Sequence, residues 1–447
     1  MPSDQSVIRI TKELSELQRS PELSIAVACR DIDVRNIRAL IFGPHRTPYE
    51  FGFFEFTIKI GSEYPDKSPE VLCTTTNSGR TRFNPNIYSS GRVCLSILGT
   101  WRGNTNEQWS PAQGLESLLL SIQSLLSSNP YENEPGFENC SSEADRKAQK
   151  QYAQKIRHET LRVTVIQRLE DYLWLRPNGT KKPAATEYLD PADAAEVVPP
   201  FEPFKDLCKR RFLWYYESYL AATREGQSET KDGEAFVIMP FESSGQNAME
   251  GKFNYGQLQN RLQNIKKALD EETASWVDEG VQSARNETTV SVNLRHQYEQ
   301  VVAHMHKSKL AHHINLEGGN PFVWVITYFG PAFTNFDGGL LRIRLSLSPR
   351  FPTEQPRVKC ETKLFHHLVA PDGTVCYTPN SDRLEDVRSH IDAIFSVFEG
   401  GEPIYDPRKF VNPEAVQLYW EGGEAGKKTY NRRLRRTVQQ SMDDFPE

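Results

Sequence analysis

No stretch of 18 or more consecutive apolar residues occurs in this chain, so no helix is expected to cross a bilayer. The opening MPSDQSVIRITKEL has no apolar run of the kind a signal peptide needs. A basic excess is missing too. Lys and Arg number 53 against 59 Asp and Glu, and the net charge of −6 argues against a general nucleic-acid binder. None of the seven cysteines (Cys29, Cys73, Cys94, Cys140, Cys208, Cys360, Cys376) forms a Cys-x-x-Cys pair, so a zinc site has no support. Their odd number and wide spacing fit free thiols in a reducing compartment, the cytoplasm or the nucleus. The sequons at Asn139, Asn178 and Asn286 then carry no expected glycan. His304, His306, His312 and His313 fall close together without carboxylates at ligand spacing, so surface histidines and no metal site are expected.

What is present suits a globular protein of more than one domain, for 447 residues exceed one typical core. Val7, Ile10, Leu14 and Leu17 recur at helical spacing before Pro21, which predicts an N-terminal amphipathic helix. SIAVAC (24–29), NIRALIF (36–42), FFEFTIKI (53–60) and EVLCTT (70–75) read as four strands. In the third, Phe54, Phe56, Ile58 and Ile60 alternate with Glu55, Thr57 and Lys59, which predicts one buried and one wet face. PAQGLESLLLSIQSLL (111–126) reads as a helix opened by Pro111. A helix, a four-strand meander and further helices make an α+β domain of roughly 150 residues.

The chain then repeats itself. FGP at 42–44 returns at 329–331, and at that offset of 287 Pro65 meets Pro352, Pro69 meets Pro356 and Cys73 meets Cys360. FFEFTIKI meets LLRIRLSL with the same alternation, and Cys94 meets Cys376 at an offset of 282. In-register agreement over dozens of residues implies a duplicated domain. Leu294, Tyr298, Val301 and Met305 supply the helix ahead of the second copy. The expected division is 1–170, 171–285 and 286–447, the middle part a linker and helical extension. Within it, 180–203 is rich in Pro and Ala and reads as a linker, whereas KDLCKRRFLWYYESYLAA and YGQLQNRLQNIKKAL read as helices. The stripe Leu258, Leu262, Ile265 and Leu269 is expected to be core.

The succession FGP, TPYEFGFFEF, YPDKSP, FNPN, GRVCLSIL and WSP resembles the ubiquitin-conjugating enzymes and their UBC fold. That family's hallmark is a His-Pro-Asn tripeptide starting ten residues before the catalytic cysteine. Asn84-Pro85-Asn86 holds that place relative to Cys94. With LGTW, NPY, NEPGFE and IRHETLRV, the Asn in place of His points to the Z-type members, and the likeness covers roughly residues 5–272. The fold implied is α+β: two UBC-like domains, each an N-terminal helix, a four-stranded antiparallel meander and C-terminal helices, joined by a partly helical region. The resemblance implies ubiquitin or a ubiquitin-like modifier, an activating enzyme, a ubiquitin ligase and protein substrates as partners. It implies no cofactor, since ATP is used by the activating enzyme.

The implied chemistry suits the residue types. The Cys94 thiolate takes the modifier's C-terminal carbonyl from a thioester on the activating enzyme. That exchange is nearly isoenergetic and needs no adjacent base. When a lysine amine then attacks, an oxyanion develops, and Asn86 is the candidate donor to it. Pro85 fixes the backbone, and Gly91 permits the turn between Asn86 and Cys94. Glu134, in NPYENEP, falls near the place where the family helps deprotonate the lysine. Trp109, Ser110, Pro111 and Ala112, with Pro65, resemble the surface that meets ligases, and Arg9 and Lys12 sit where the family contacts its activating enzyme. Asp66 stands where many relatives carry a large apolar residue, which argues against ordinary RING-type engagement, and the loop LGTWRGNTNEQWSP is longer than usual.

In the second copy His366 stands ten residues before Cys376, but His367 replaces the proline and Leu368 the asparagine. Leu368 cannot donate a hydrogen bond, so lysine transfer from Cys376 should be slow and the domain impaired or regulatory. NPEAVQLYW and KKTYNRRLRRTV resemble the family's last helices, and the run RRLRR (432–436) reads as a solvated face or an acidic-partner contact. A non-catalytic, modifier-binding scaffold is the alternative reading of the whole chain. A cysteine hydrolase is weaker, because no His/Asn pair stands out to serve Cys94.

Overall fold

The computed structural model describes residues 3–19, 23–101, 107–183, 200–242, 249–308 and 311–443. Pro21, the loop 102–106 and most of the Pro- and Ala-rich linker, 184–199, lie outside the described residues. The first domain opens with α1 (Ser3–Arg19), whose Ile10 and Leu14 are buried. Strands β1 (Ile25–Arg30), β2 (Asp33–Phe42), β3 (Phe53–Lys59) and β4 (Glu70–Cys73) pair antiparallel in the order β1-β2-β3-β4. The register sets Ile37 opposite Ile58 and Phe56 opposite Cys73, so one face carries Ile37, Ala39, Ile41, Phe54, Phe56 and Ile58 into the core. Burying one such Phe or Ile stabilises by about 1.5–3 kcal/mol, and a one-residue slip would exchange the whole row for Glu55, Thr57 and Lys59.

The opposite face is less wet than the alternation predicts. Glu55 is buried, and its carboxylate accepts from Arg38 on β2 and Arg168 beyond it. A charge can be buried there because two guanidinium groups pair with it. Helix α2 (Leu115–Ser124) packs Leu115, Leu118, Leu119 and Ile122 on the core. It starts four residues later than Pro111 suggests. Gly114 is its N-cap, and Glu13 of α1 accepts the Leu115 N–H at 3.0 Å, a carboxylate on the positive end of the helix. Helix α3 (Glu143–Glu159) widens into a π-helical stretch over Thr160–Gln167 before α4 (Arg168–Tyr172). The Thr164 hydroxyl donates to the Thr160 carbonyl and accepts the first N–H of β3, from Phe53.

Helices α5 (Lys205–Glu229) and α6 (Tyr255–Arg285) follow, and the predicted stripe Leu258, Leu262, Ile265 and Leu269 is buried as core. The middle region does not form a body of its own. Met1–Lys205 with Leu220–Ile265 makes one compact unit, and Asp206–Tyr219 with Lys266–Glu447 makes the other. Ion pairs across sequence explain this. In the first unit Lys155 meets Glu242 at 2.5 Å with both buried, and Arg261 grips Glu170 through two 2.7 Å hydrogen bonds. In the second, Asp206 meets Arg357 at 2.7 Å.

The second domain holds α7 (Thr289–Lys307), β5 (His313–Leu316), β6 (Val323–Phe329), β7 (Leu340–Ser346), β8 (Arg357–Cys360), α8 (Val387–Val397), α9 (Pro413–Val416) and α10 (Gly423–Asp443). Its sheet runs β5-β6-β7-β8. The repeat extends to single hydrogen bonds. Leu340 N–H meets Ser441 Oγ as Phe53 N–H meets Thr164 Oγ1, and Arg342 N–H meets Thr362 Oγ1 as Glu55 N–H meets Thr75 Oγ1. Of the four clustered histidines, His312 is not a surface residue. It is half-buried between the rings of Tyr328 and Phe395, and its Nδ1 accepts the Phe329 N–H. In the RRLRR run, Leu434 is buried while Arg433 pairs with Glu414.

Candidate active site

Cys94 follows β4 by a loop that folds back on itself. Gly91 has φ of +90°, and a Cβ there would lie 2.5 Å from the Cys73 carbonyl oxygen, so both the turn and the close approach require glycine. The turn brings residues 86 and 94 together through two hydrogen bonds. The Cys94 N–H donates to the Asn86 carbonyl at 2.8 Å, and the Asn86 side-chain amide donates to the Cys94 carbonyl at 3.0 Å. An amide nitrogen carries two donors. One is committed to Cys94, and the other has no partner among the described residues. Cys94 is 5% exposed and stands outside the apolar core cluster that contains Cys73.

Asn84 does a different job. Fully buried, it donates to the Tyr49 hydroxyl and the Leu125 carbonyl, while its Oδ1 accepts the Asn86 N–H at 2.9 Å. It therefore fixes the backbone from which Asn86 projects. Glu134 lies on the same side of the domain, half-buried, with its carboxylate 3.2 Å from Arg82. Burial raises its pKa, and the Arg82 charge opposes the rise. Arg82 itself is 4% exposed. It also donates to the Pro85 carbonyl at 2.5 Å, and it lies 4.7 Å over the Tyr88 ring. The Tyr88 hydroxyl is within the electrostatic and hydrogen-bonding reach of the Cys94 thiol.

The residues expected to face partners divide into two groups. Trp109 Nε1 donates to the Pro65 carbonyl at 2.7 Å, and the Tyr64 and Trp109 rings meet at 5.8 Å, so the two loops do form one surface. Asp66, Pro111 and Ala112 are exposed on it, whereas Ser110 is half-buried, its N–H on Gln113. Trp109→Phe removes one half-buried hydrogen bond and should cost about 1 kcal/mol, read as a lowered urea midpoint of the first domain. Lys12 is 74% exposed, but Arg9 spends its donors inside the domain, on Glu13 at 2.5 Å and on the Gln113 carbonyl at 2.9 Å. Arg9 thus braces α1 against the start of α2.

Residues 9–160 and again 293–419 match the family model described as "Ubiquitin-conjugating enzyme". The chain belongs to the ubiquitin-conjugating enzymes. Ubiquitin-conjugating enzyme E2 Z of Homo sapiens is 36% identical over 298 residues, 65% of this chain and 72% of that protein. The protein of the same name from Danio rerio is 46% identical over 168 residues, 38% and 49% of the two chains. A solved ubiquitin-conjugating enzyme domain from Toxoplasma gondii is 30% identical, with a TM-score of 0.28, and covers 35% of this chain and 98% of that one.

The conjugating enzyme's second matched region keeps the backbone of the site and loses its side chains. Cys376 N–H donates to the Leu368 carbonyl at 2.8 Å, as Cys94 does to Asn86, and Gly373 has φ of +86° with its Cβ position 2.4 Å from the Cys360 carbonyl. The His366 Nδ1 lies 3.3 Å from the Leu368 N–H and takes the part of Asn84 Oδ1. Burial and the neighbouring His367 hold His366 well below the usual histidine range, which makes it a neutral brace. Cys376 is 1% exposed, and Arg211 and Tyr215 of α5 lie within electrostatic range of it. Burial pushes its thiol up to about 12, against the pull of Arg211 and Lys409. The thiolate is the reactive form. Iodoacetamide at pH 7.5 should therefore leave Cys376 unmodified in the folded conjugating enzyme and label it after denaturation, as peptide mass spectrometry would read.

Sequence reasoning did not single out Arg82 or Tyr88. Arg82 precedes the FNPN motif in a run with no periodicity, and only the return of the 130–134 segment brings a carboxylate to it. One signal was available. At the 282 offset the second copy has Leu364 for Arg82 and Ala370 for Tyr88, alongside Leu368 for Asn86.

Proposed function

We propose that Cys94 carries ubiquitin or a ubiquitin-like modifier as a thioester and passes it to a lysine amine, alone or with a ligase. In the loading step the Cys94 sulfur bonds to the modifier's terminal carbonyl carbon as the bond to the activating enzyme's sulfur breaks. In the transfer step a lysine nitrogen displaces the Cys94 sulfur through an oxyanion, which the uncommitted Asn86 donor stabilises. Glu134 takes the proton that the lysine sheds. The observation that supports this reading best is the pair of hydrogen bonds between residues 86 and 94, which ties a neutral amide donor to the backbone of the cysteine at any pH. In the second domain a donor is missing at Leu368 and the thiol is buried, which favours a regulatory or modifier-binding role there.

Incubation with activating enzyme, ATP and ubiquitin, followed by a non-reducing gel, tests the reading. An adduct that disappears on adding thiol is the expected result. If no adduct forms with ubiquitin or with any of several related modifiers, the reading fails.

A further inference from the structure

The transfer site contains a buried cation that the chemistry above does not use. Desolvating a guanidinium is costly unless its partners offset it, and Arg82 is only partly offset. It has the Glu134 carboxylate, the Pro85 carbonyl and the Tyr88 ring, but its Nε has no partner among the described residues. Its neighbours are what give the arrangement meaning. Pro85 is the middle residue of the motif, Tyr88 faces the Cys94 thiol, and Glu134 is the proton acceptor proposed above. A planar fork can hold a carbonyl and a carboxylate at its edge while its face lies on a ring. A lysine ammonium cannot do all three.

We propose that Arg82 is a positioning residue for the lysine-transfer step: its guanidinium holds the Tyr88 ring beside Cys94 with its face and the Glu134 carboxylate with its edge. This rests on the reading of Cys94 as the thioester carrier and adds to it. In the step served, a neutral lysine amine bonds to the thioester carbonyl carbon, the carbon–sulfur bond breaks, and the sulfur leaves with the electron pair. The proton shed by the nitrogen passes through Glu134 to the sulfur, so that an amide and a free thiol result. Arg82 touches none of the reacting atoms. It fixes the aromatic wall and the proton acceptor between which the lysine arrives. The second copy gives internal support, since Arg82, Asn86 and Tyr88 are replaced together there by Leu364, Leu368 and Ala370 while the backbone bonds persist.

Charge also enters. Glu134 is faced by Arg82, by Tyr88 from the motif loop and by Tyr152 from α3, and of these only Arg82 is a cation. Burial raises the Glu134 pKa and Arg82 lowers it. Without the cation, Glu134 should lose its proton only at higher pH, so the acid limb of the transfer rate should move upward.

The test uses the full chain as Arg82→Lys and Arg82→Met. Two rates are measured for each: loading from the activating enzyme, and single-turnover discharge of the adduct to free lysine between pH 6 and 9. Expected are loading within about threefold of the unaltered protein and discharge slower by about tenfold or more in both. The acid limb should move to higher pH in Arg82→Met and stay near its original place in Arg82→Lys, which keeps the charge. Discharge within threefold in both variants overturns the proposal. So does a parallel fall of loading and discharge with an unmoved pH profile. If Arg82→Met does not fold, the loading-to-discharge ratio of Arg82→Lys decides alone. If the unaltered protein carries no adduct on Cys94, the carrier reading falls first and the positioning role with it.

Discussion

Cys94→Ala should abolish the thiol-sensitive adduct although Cys376 is intact, and Cys376→Ala should leave the adduct and its discharge to lysine at the unaltered level. Both results follow from how differently two equivalent backbones present their sulfur. The Cys94 loop has Asn86 and Tyr88 about it, both half-buried, where the second copy has Leu368 and Ala370. The Cys376 loop keeps the backbone hydrogen bond but not the side-chain one, Arg211 and Tyr215 of α5 lie within electrostatic range, and burial keeps its thiol protonated at neutral pH. A thioester exchange needs a thiolate, and burial holds the Cys376 thiol in its protonated form. Anti-ubiquitin blotting of the two single variants under non-reducing conditions reads the result. An adduct that survives Cys94→Ala would place the working sulfur elsewhere.

Asn86→Ala should slow lysine discharge by about 10²–10³ while loading falls far less, because the donor is needed only where charge builds on the carbonyl oxygen. The side chain has a second duty that the measurement must separate. Its bond to the Cys94 carbonyl steadies the loop, and losing it leaves that carbonyl short of a partner at a cost of about 1–3 kcal/mol. A loop defect would depress loading and discharge together. Loss of oxyanion stabilisation depresses discharge selectively. Asn86→Asp sharpens the comparison: the side chain keeps nearly the same size but, once ionised, has no donor and sets a negative charge beside a developing one. It should discharge at least as slowly as Asn86→Ala.

Much of this was legible before any coordinates. The alternation of Phe54, Phe56, Ile58 and Ile60 defined a strand and its inward face, because a period of two has only one way to bury that row. The cysteine motif and its repeat at a shifted offset located two matching loops, since Gly91 and Gly373 mark turns with positive φ and close backbone approaches that call for glycine. Partnerships between distant positions were not legible. Nothing near Arg9 predicts that its charge is taken up by Glu13 and the Gln113 carbonyl, or that Glu13 caps α2 and so delays its start past Pro111. Glu55 read as a solvated residue because Arg168, one of its two cations, is more than a hundred positions away.

The sequence by itself determined the two UBC-like domains, their strand order and the cysteine that each presents, because these depend on local periodicity, turn residues and spacing within a few dozen positions. Tertiary structure decided how each sulfur is packed. The Cys376 thiol is desolvated, and desolvation depends on what packs over a group rather than on its neighbours in the chain. It also brought Arg82, Tyr88 and Glu134 together. A buried charge is tolerable only where folding delivers its partners, and those partners come from separate segments of the chain.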